Sequence, residues 1–95
     1  MQVDHIFTFS SRAGQTFYFT YWTSDWGTFN AFQAAPSFNQ GFNAGVVSVT
    51  SVAATMPAAD PNRPSLFYTI YVKNEGDPHL NPNQVTMFDI YNAWQ

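Results

Sequence analysis

The sequence predicts one all-β domain over residues 1–95, folded as a small antiparallel β-sandwich of five to seven strands. Aromatic residues make up 19% of the chain, whereas leucine, which is common in helical proteins, occurs only as Leu66 and Leu80. Phe, Tyr, Val and Thr suit the pleated, half-buried surface of a sheet. Alternating apolar and polar residues recur in segments of strand length, and clusters of Gly, Pro and Asn separate these segments. A chain of this length is typical of a single domain.

The first two predicted strands cover residues 3–10 and 16–24. Side chains alternate between the two faces of a strand. In the second strand we expect Phe17, Phe19 and Tyr21 to face the core, and Thr16, Tyr18, Thr20 and Trp22 to face outward. Residues 11–15 form a turn in which Gly14 is placed for a left-handed backbone conformation. Two strands joined by a short turn predict a β-hairpin over residues 3–24.

The next segment, residues 28–35, forms either a short strand or a single helical turn, and Pro36 ends it in both cases. Residues 57–64 contain three prolines and form a connection. Further strands are predicted over residues 46–56, 65–74 and 84–91. Together with the first two, these segments give five or six strands joined by turn-rich loops, which is the pattern of a sandwich or a small barrel.

The two strands around the proline-rich connection resemble the pair of long strands in immunoglobulin-like bacterial sandwich domains. In those domains a strand often closes on an Asn-x-Gly turn, and Asn74, Glu75 and Gly76 match that turn here. The resemblance implies that Tyr68, Ile70 and Val72 face the core. It covers these two strands alone and implies no function, and a jelly-roll-like sandwich remains an alternative.

Charge is scarce, since charged residues form 9% of the chain against about 25% in an average soluble domain. Arg12, Arg63 and Lys73 are the only strongly basic residues, too few for the basic stripe that nucleic-acid binding requires. The same scarcity argues against binding to anionic membrane surfaces. No apolar run reaches the length of a membrane-spanning helix. The chain has no cysteine, which excludes disulfides and thiolate chemistry.

An aromatic turn is the best candidate for a binding site. Tyr18, Trp22, Asp25 and Trp26 lie on the outer face and at the end of the second strand. Exposed rings can stack on the face of a sugar while a carboxylate and hydroxyls bind its hydroxyl groups. The alternatives are that the two indoles pack into the core, or that they anchor a protein interface. We predict a lectin-like module that binds a neutral carbohydrate or another small polar ligand.

Other chemistry has weaker support. Glu75 and Asp77, together with backbone carbonyls, could bind a calcium ion, and His79 could join His5 around zinc, but neither spacing matches a known metal pattern. The chain contains no nucleophile elbow and no phosphate-binding loop. We therefore expect no catalytic residue, no metal and no cofactor. Asp89 lies between two apolar residues, and we expect Lys73 or Arg63 to be its partner.

The alternative function is assembly into a homo-oligomer, as a subunit of a surface layer, appendage, toxin or virion. Long strands with few charges leave the edges of a sheet open to pairing with a second copy. We favour an extracellular or cell-surface location, although the first residues do not show the pattern of a signal peptide.

Overall fold

The computed structural model describes residues 1–23, 29–37, 46–56, 66–79 and 83–95. This part of the chain forms six β-strands and no helix. The strands are β1 (Gln2–Arg12), β2 (Thr16–Thr23), β3 (Asn30–Pro36), β4 (Val47–Thr55), β5 (Leu66–Asn74) and β6 (Val85–Trp94). Among the residues described, none belongs to a helix long and apolar enough to cross a membrane.

The strands form two three-stranded antiparallel sheets, which confirms the predicted all-β sandwich. Sheet I has the order β1-β6-β3, and sheet II has the order β2-β5-β4. Sheet order places β6 at the centre of one layer and β5 at the centre of the other. The smallest extent of the Cα positions is 14 Å, which agrees with two layers about 10 Å apart.

The predicted hairpin over residues 3–24 is wrong. β1 pairs with β6, and β2 pairs with β5, so the short turn carries the chain from one sheet to the other. The physical reason is that both strands carry aromatic residues on their inward faces. Placed in opposite layers, these faces cover each other: the ring centroids of Phe9 and Phe17 are 4.2 Å apart, and those of Phe7 and Phe19 are 4.9 Å apart.

The core lies between the two sheets and is supplied mainly by their central strands. Ile70 and Val72 of β5, and Phe88 and Ile90 of β6, have no exposed surface. Ile70 and Val72 are two of the three residues that the resemblance implied to face the core. Phe32 of β3 completes the core and contacts the rings of Tyr21, Phe19 and Tyr68 from sheet II.

The ambiguous segment before Pro36 is a strand. β3 runs from Asn30 to Pro36 along β6 at the edge of sheet I. Proline lacks an N–H group, and at the end of an edge strand this costs no hydrogen bond of the ladder. The backbone continues the pairing one residue later, where the Ser37 N–H donates to the Met87 carbonyl.

The turn between β1 and β2 is held by Asn74 at the end of β5. Gly14 adopts a φ of 83°, which confirms the predicted left-handed conformation. Its N–H donates to the Asn74 carbonyl over 2.9 Å, and the Asn74 N–H donates to the Gln15 carbonyl over 2.9 Å. The buried Asn74 side chain also donates to the Ser11 carbonyl and accepts from the Gly76 N–H. These bonds fix the position of β1 relative to β2.

Candidate functional site

The outer face of sheet II carries four aromatic side chains, which we call the aromatic face: Tyr18, Trp22, Phe67 and Tyr71. Two come from β2 and two from β5, at the positions that alternate with the core residues. Tyr18 is 65% exposed, Trp22 is 61% exposed and Tyr71 is 40% exposed. Exposed large rings on one strand face are unusual, because burial of such side chains is favourable.

The register of β2 against β5 places these rings in two cross-strand pairs. Tyr18 lies opposite Tyr71, and Trp22 lies opposite Phe67. The ring centroids are 5.6 Å apart in the first pair and 4.7 Å apart in the second, and the planes are tilted by 37° and 36°. Each pair therefore forms a cross-strand aromatic contact, and contacts of this kind stabilise a sheet.

Small polar side chains occupy the space between the two pairs. Thr20 lies opposite Thr69, midway between the aromatic rows, and Ala53 of β4 lies beside Thr69. Tyr18 and Trp22 are four residues apart in a strand, so the two ring pairs are separated by about 13 Å. The result is two aromatic platforms with a row of hydroxyl groups between them.

The face contains no charged side chain within these rows. The nearest charged residues in register are at its end, where Lys73 lies opposite Thr16. The Lys73 Nζ atom lies 3.7 Å from the Glu75 Oε2 atom, and Glu75 also accepts a hydrogen bond from the Ser48 hydroxyl. The two charges are thus paired with each other, which suits a neutral ligand better than an ionic one.

Two of the four predicted site residues, Tyr18 and Trp22, lie together on this face. Trp22 is exposed, so its indole does not pack into the core. For Trp22 this contradicts the alternative in which the two indoles are buried there. The other two, Asp25 and Trp26, lie outside the described residues, so the predicted turn site stays a prediction for them.

The sequence analysis missed Phe67 and Tyr71 as members of the site. The signal was present, because β5 repeats the aromatic-Thr-aromatic pattern of β2 as Phe67-Thr69-Tyr71. Both strands carry two aromatic residues with a threonine between them on the same face. When the strands pair antiparallel with the threonines opposite each other, each ring lies opposite a ring of the other strand. The erroneous hairpin assigned β1 as the neighbour of β2 and so concealed this match.

A cluster of polar side chains lies on the outer face of the other sheet, sheet I. His5 Nε2 lies 3.1 Å from Thr8 Oγ1 and 3.1 Å from Asp89 Oδ1, and the Thr8 hydroxyl donates to the same carboxylate oxygen. The predicted Asp89 partners were Lys73 and Arg63. In the structure the Asp89 side chain contacts His5 and Thr8, because β1 and not β5, which carries Lys73, runs beside β6. Arg63 is outside the described residues, so this alternative stays a prediction.

The geometry of this cluster differs from that of a hydrolytic triad. In a triad the carboxylate and the nucleophile bind opposite nitrogens of the histidine ring. Here one nitrogen faces both groups, and the hydroxyl donates to the carboxylate. Mainly because of the Thr8 hydroxyl, the pKa of the Asp89 carboxyl lies below its usual value; burial opposes this effect and His5 adds to it. The cluster thus holds a carboxylate ionised at the surface.

The turn after β5 does not bring its acidic residues and histidine together as metal ligands. Asp77 accepts a hydrogen bond from the backbone N–H of His79, and Glu75 is engaged with Lys73 and Ser48. Within the described ranges, no three side chains of the metal-binding types are grouped closely enough to hold an ion.

Comparisons of the chain with protein-family models, with curated proteins and with solved structures gave no match. The resemblance to immunoglobulin-like bacterial domains therefore has no support beyond the strand pattern, and any functional assignment depends on the geometry of the aromatic face.

Proposed function

We propose that this protein is a non-catalytic binding module that recognises a neutral carbohydrate through the aromatic face. The observation that carries the proposal is the arrangement of Tyr18, Trp22, Phe67 and Tyr71 in two ring pairs on one side of sheet II, in which Phe67 is partly buried and the other three rings are exposed. Rings exposed in this way can pack against the C–H groups of sugar rings.

The polar groups of the face suit the rest of such a ligand. The hydroxyls of Thr20 and Thr69, together with the phenol groups of Tyr18 and Tyr71, can both donate and accept hydrogen bonds. Sugar hydroxyls have the same dual character. Because about 13 Å separates the two ring pairs, both are engaged only by a chain of several sugar units that lies along β2.

Titration with neutral hexasaccharides of glucose, xylose and mannose tests the proposal, with tryptophan fluorescence and calorimetry as readouts. We expect binding by at least one of them, and a weaker affinity for the matching trisaccharide, which is too short to reach both pairs. Loss of one ring should cost about 0.5–1.5 kcal/mol, so Trp22→Ala should weaken binding by about two- to twelvefold.

Tyr91→Ala is the matched control, because Tyr91 lies on the outer face of sheet I, where its ring contacts His5. It should leave the affinity unchanged. Absence of binding across the glycan set, or equal affinities of wild type and Trp22→Ala, would contradict the proposal.

Self-assembly into a homo-oligomer is a second candidate, and β4 is the observation that favours it. Beyond the irregularity between Val49 and Ser51, every residue of β4 is exposed, on both faces of the strand. Val52 pairs with the fully buried Ile70 and is itself 45% exposed. This half of an edge strand contains no charge, and such edges readily pair with a strand of another molecule.

A further inference from the structure

The two ring pairs of the aromatic face lie in line along the direction of β2 and β5. Tyr18 and Trp22 project from the outer side of β2, and their partners Tyr71 and Phe67 project from the same side of β5. The pairing of these two strands is regular from one ring pair to the other. A ligand that contacts both pairs must therefore keep an apolar side against the sheet over about 13 Å.

The side chains beside the rings are small or absent. Ser51, Ala53 and Thr55 of β4 lie in register with the outward residues of β5, and all three are exposed. On the other side β2 is the edge of sheet II, so no described strand of this sheet lies beyond Tyr18 and Trp22. The rings therefore form an open platform and not a curved cleft, and such a platform suits a straight ligand.

The shape of a neutral polysaccharide depends on how its sugar units are linked. In a β-1,4-linked chain of glucose all ring substituents are equatorial, so the chain is straight and its axial C–H groups form an apolar surface on each side. In an α-1,4-linked chain one bond of each linkage is axial, and the chain curls. A straight chain can place C–H groups on both ring pairs, whereas a curled chain turns away from the second pair.

We propose that the aromatic face is specific for straight, β-1,4-linked chains of glucose. This inference rests on the proposed carbohydrate function and narrows the class of ligand. The hydroxyls of Thr20 and Thr69 lie midway between the ring pairs, where they can donate to and accept from the equatorial hydroxyl groups at the edge of such a chain. Simultaneous contact with both pairs raises the affinity, because the second contact forms within the same complex.

Calorimetric titration with cellohexaose and maltohexaose tests the inference. The two hexasaccharides contain the same sugar and differ only in the configuration of the linkages. Cellohexaose should engage both ring pairs and maltohexaose only one, so we expect cellohexaose to bind at least about fivefold more tightly, as for the contacts of two rings. Cellotriose and maltotriose should bind with nearly equal affinities, because each reaches a single pair.

Trp22→Ala tests whether this selectivity depends on having two ring pairs. Cellohexaose should lose most of its advantage over maltohexaose, since maltohexaose can still use the other pair. Tyr18→Ala, in that other pair, should have the same effect. Both side chains are exposed, so we expect both variants to fold, and thermal unfolding verifies this. Tyr91→Ala, on the outer face of sheet I, is the control and should keep the wild-type ratio of affinities.

The outcomes separate this inference from the proposed function. Equal affinities of the two hexasaccharides, or tighter binding of maltohexaose, would overturn the inference and leave carbohydrate binding intact. So would binding of a hexasaccharide of xylose or mannose without binding of cellohexaose. An advantage of cellohexaose that persists in both Trp22→Ala and Tyr18→Ala would also overturn it. If no hexasaccharide binds, the proposed function fails and the inference fails with it.

Discussion

Asn74 connects the end of β5 to the turn between the sheets through both its backbone and its side chain. The side chain is 2% exposed and bonds to Ser11 and Gly76, while its backbone bonds to Gly14 and Gln15. Asparagine can do this because its amide both donates and accepts. The sequence identified Asn74 only as the start of a turn.

Replacement of Asn74 by alanine should lower the free energy of unfolding by about 2–3 kcal/mol. Two side-chain hydrogen bonds are lost, and the Ser11 carbonyl is left without this donor in a buried place. Chemical denaturation measures the change. Asn83→Ala, at an exposed turn position, is the control and should change stability by less than about 0.5 kcal/mol. Equal effects of the two substitutions would contradict this role of Asn74.

Asp89 should make the stability of the protein depend on pH in the acidic range. Its pKa is lower in the folded state, so it binds its proton more weakly there than in the unfolded chain. The stabilisation is therefore complete above the ordinary carboxyl pKa of about 4 and is lost as the pH falls through the folded-state value.

Denaturation of wild type and Thr8→Val between neutral pH and pH 2 examines this effect. Thr8→Val removes the hydroxyl that contributes most to the lowered pKa. We expect wild type to be the more stable by about 1 kcal/mol at neutral pH, and the difference to shrink below about pH 4. A difference that stays constant with pH would show that Thr8 acts by packing alone.

At the scale of the strands, the side chains of β2 and β5 alternate between two faces, and each face has its own role. Their inward residues, Phe19 and Ile70 among them, build the core, and their outward residues build the aromatic face. The alternation predicted which residues of β2 face inward, and the resemblance implied the inward residues of β5. Which outward residues become neighbours depended on the pairing of β2 with β5, and this pairing brings Trp22 beside Phe67.

The exposed half of β4 leads to a prediction about association. If it pairs with a second copy, Val52→Lys should abolish or strongly weaken self-association, because charged residues protect strand edges. Light scattering and sedimentation over a concentration series measure the oligomeric state. Val3→Lys is the control, since Val3 is an exposed valine of β1. A wild-type protein that stays monomeric at the highest concentration would exclude association through β4.

At the scale of the whole molecule, the two sheets are held together by contacts between aromatic rings of opposite layers. The rings of Phe7, Phe9 and Phe32 from sheet I meet those of Phe17, Phe19 and Tyr68 from sheet II. A small domain buries a limited fraction of its surface, so large side chains are an efficient way to build its core. Where β1 and β2 lie in opposite sheets without pairing, their large rings leave an open cleft between them.

By itself, the sequence determined the fold class, the inward face of β2 and the left-handed conformation of Gly14. These follow from local properties, namely strand propensity, the period of two and the steric freedom of glycine. The assignment of Tyr18 and Trp22 to an outward face came from the same period.

Only the tertiary structure decided which strands are neighbours. It separated β1 from β2, added Phe67 and Tyr71 to the aromatic face, gave Asp89 its partners and buried the Ser11 hydroxyl. Strand pairing is a long-range property, because it depends on burying all the inward faces at once. A short turn is compatible with either a hairpin or a crossing between sheets, and the aromatic faces of β1 and β2 favoured the crossing.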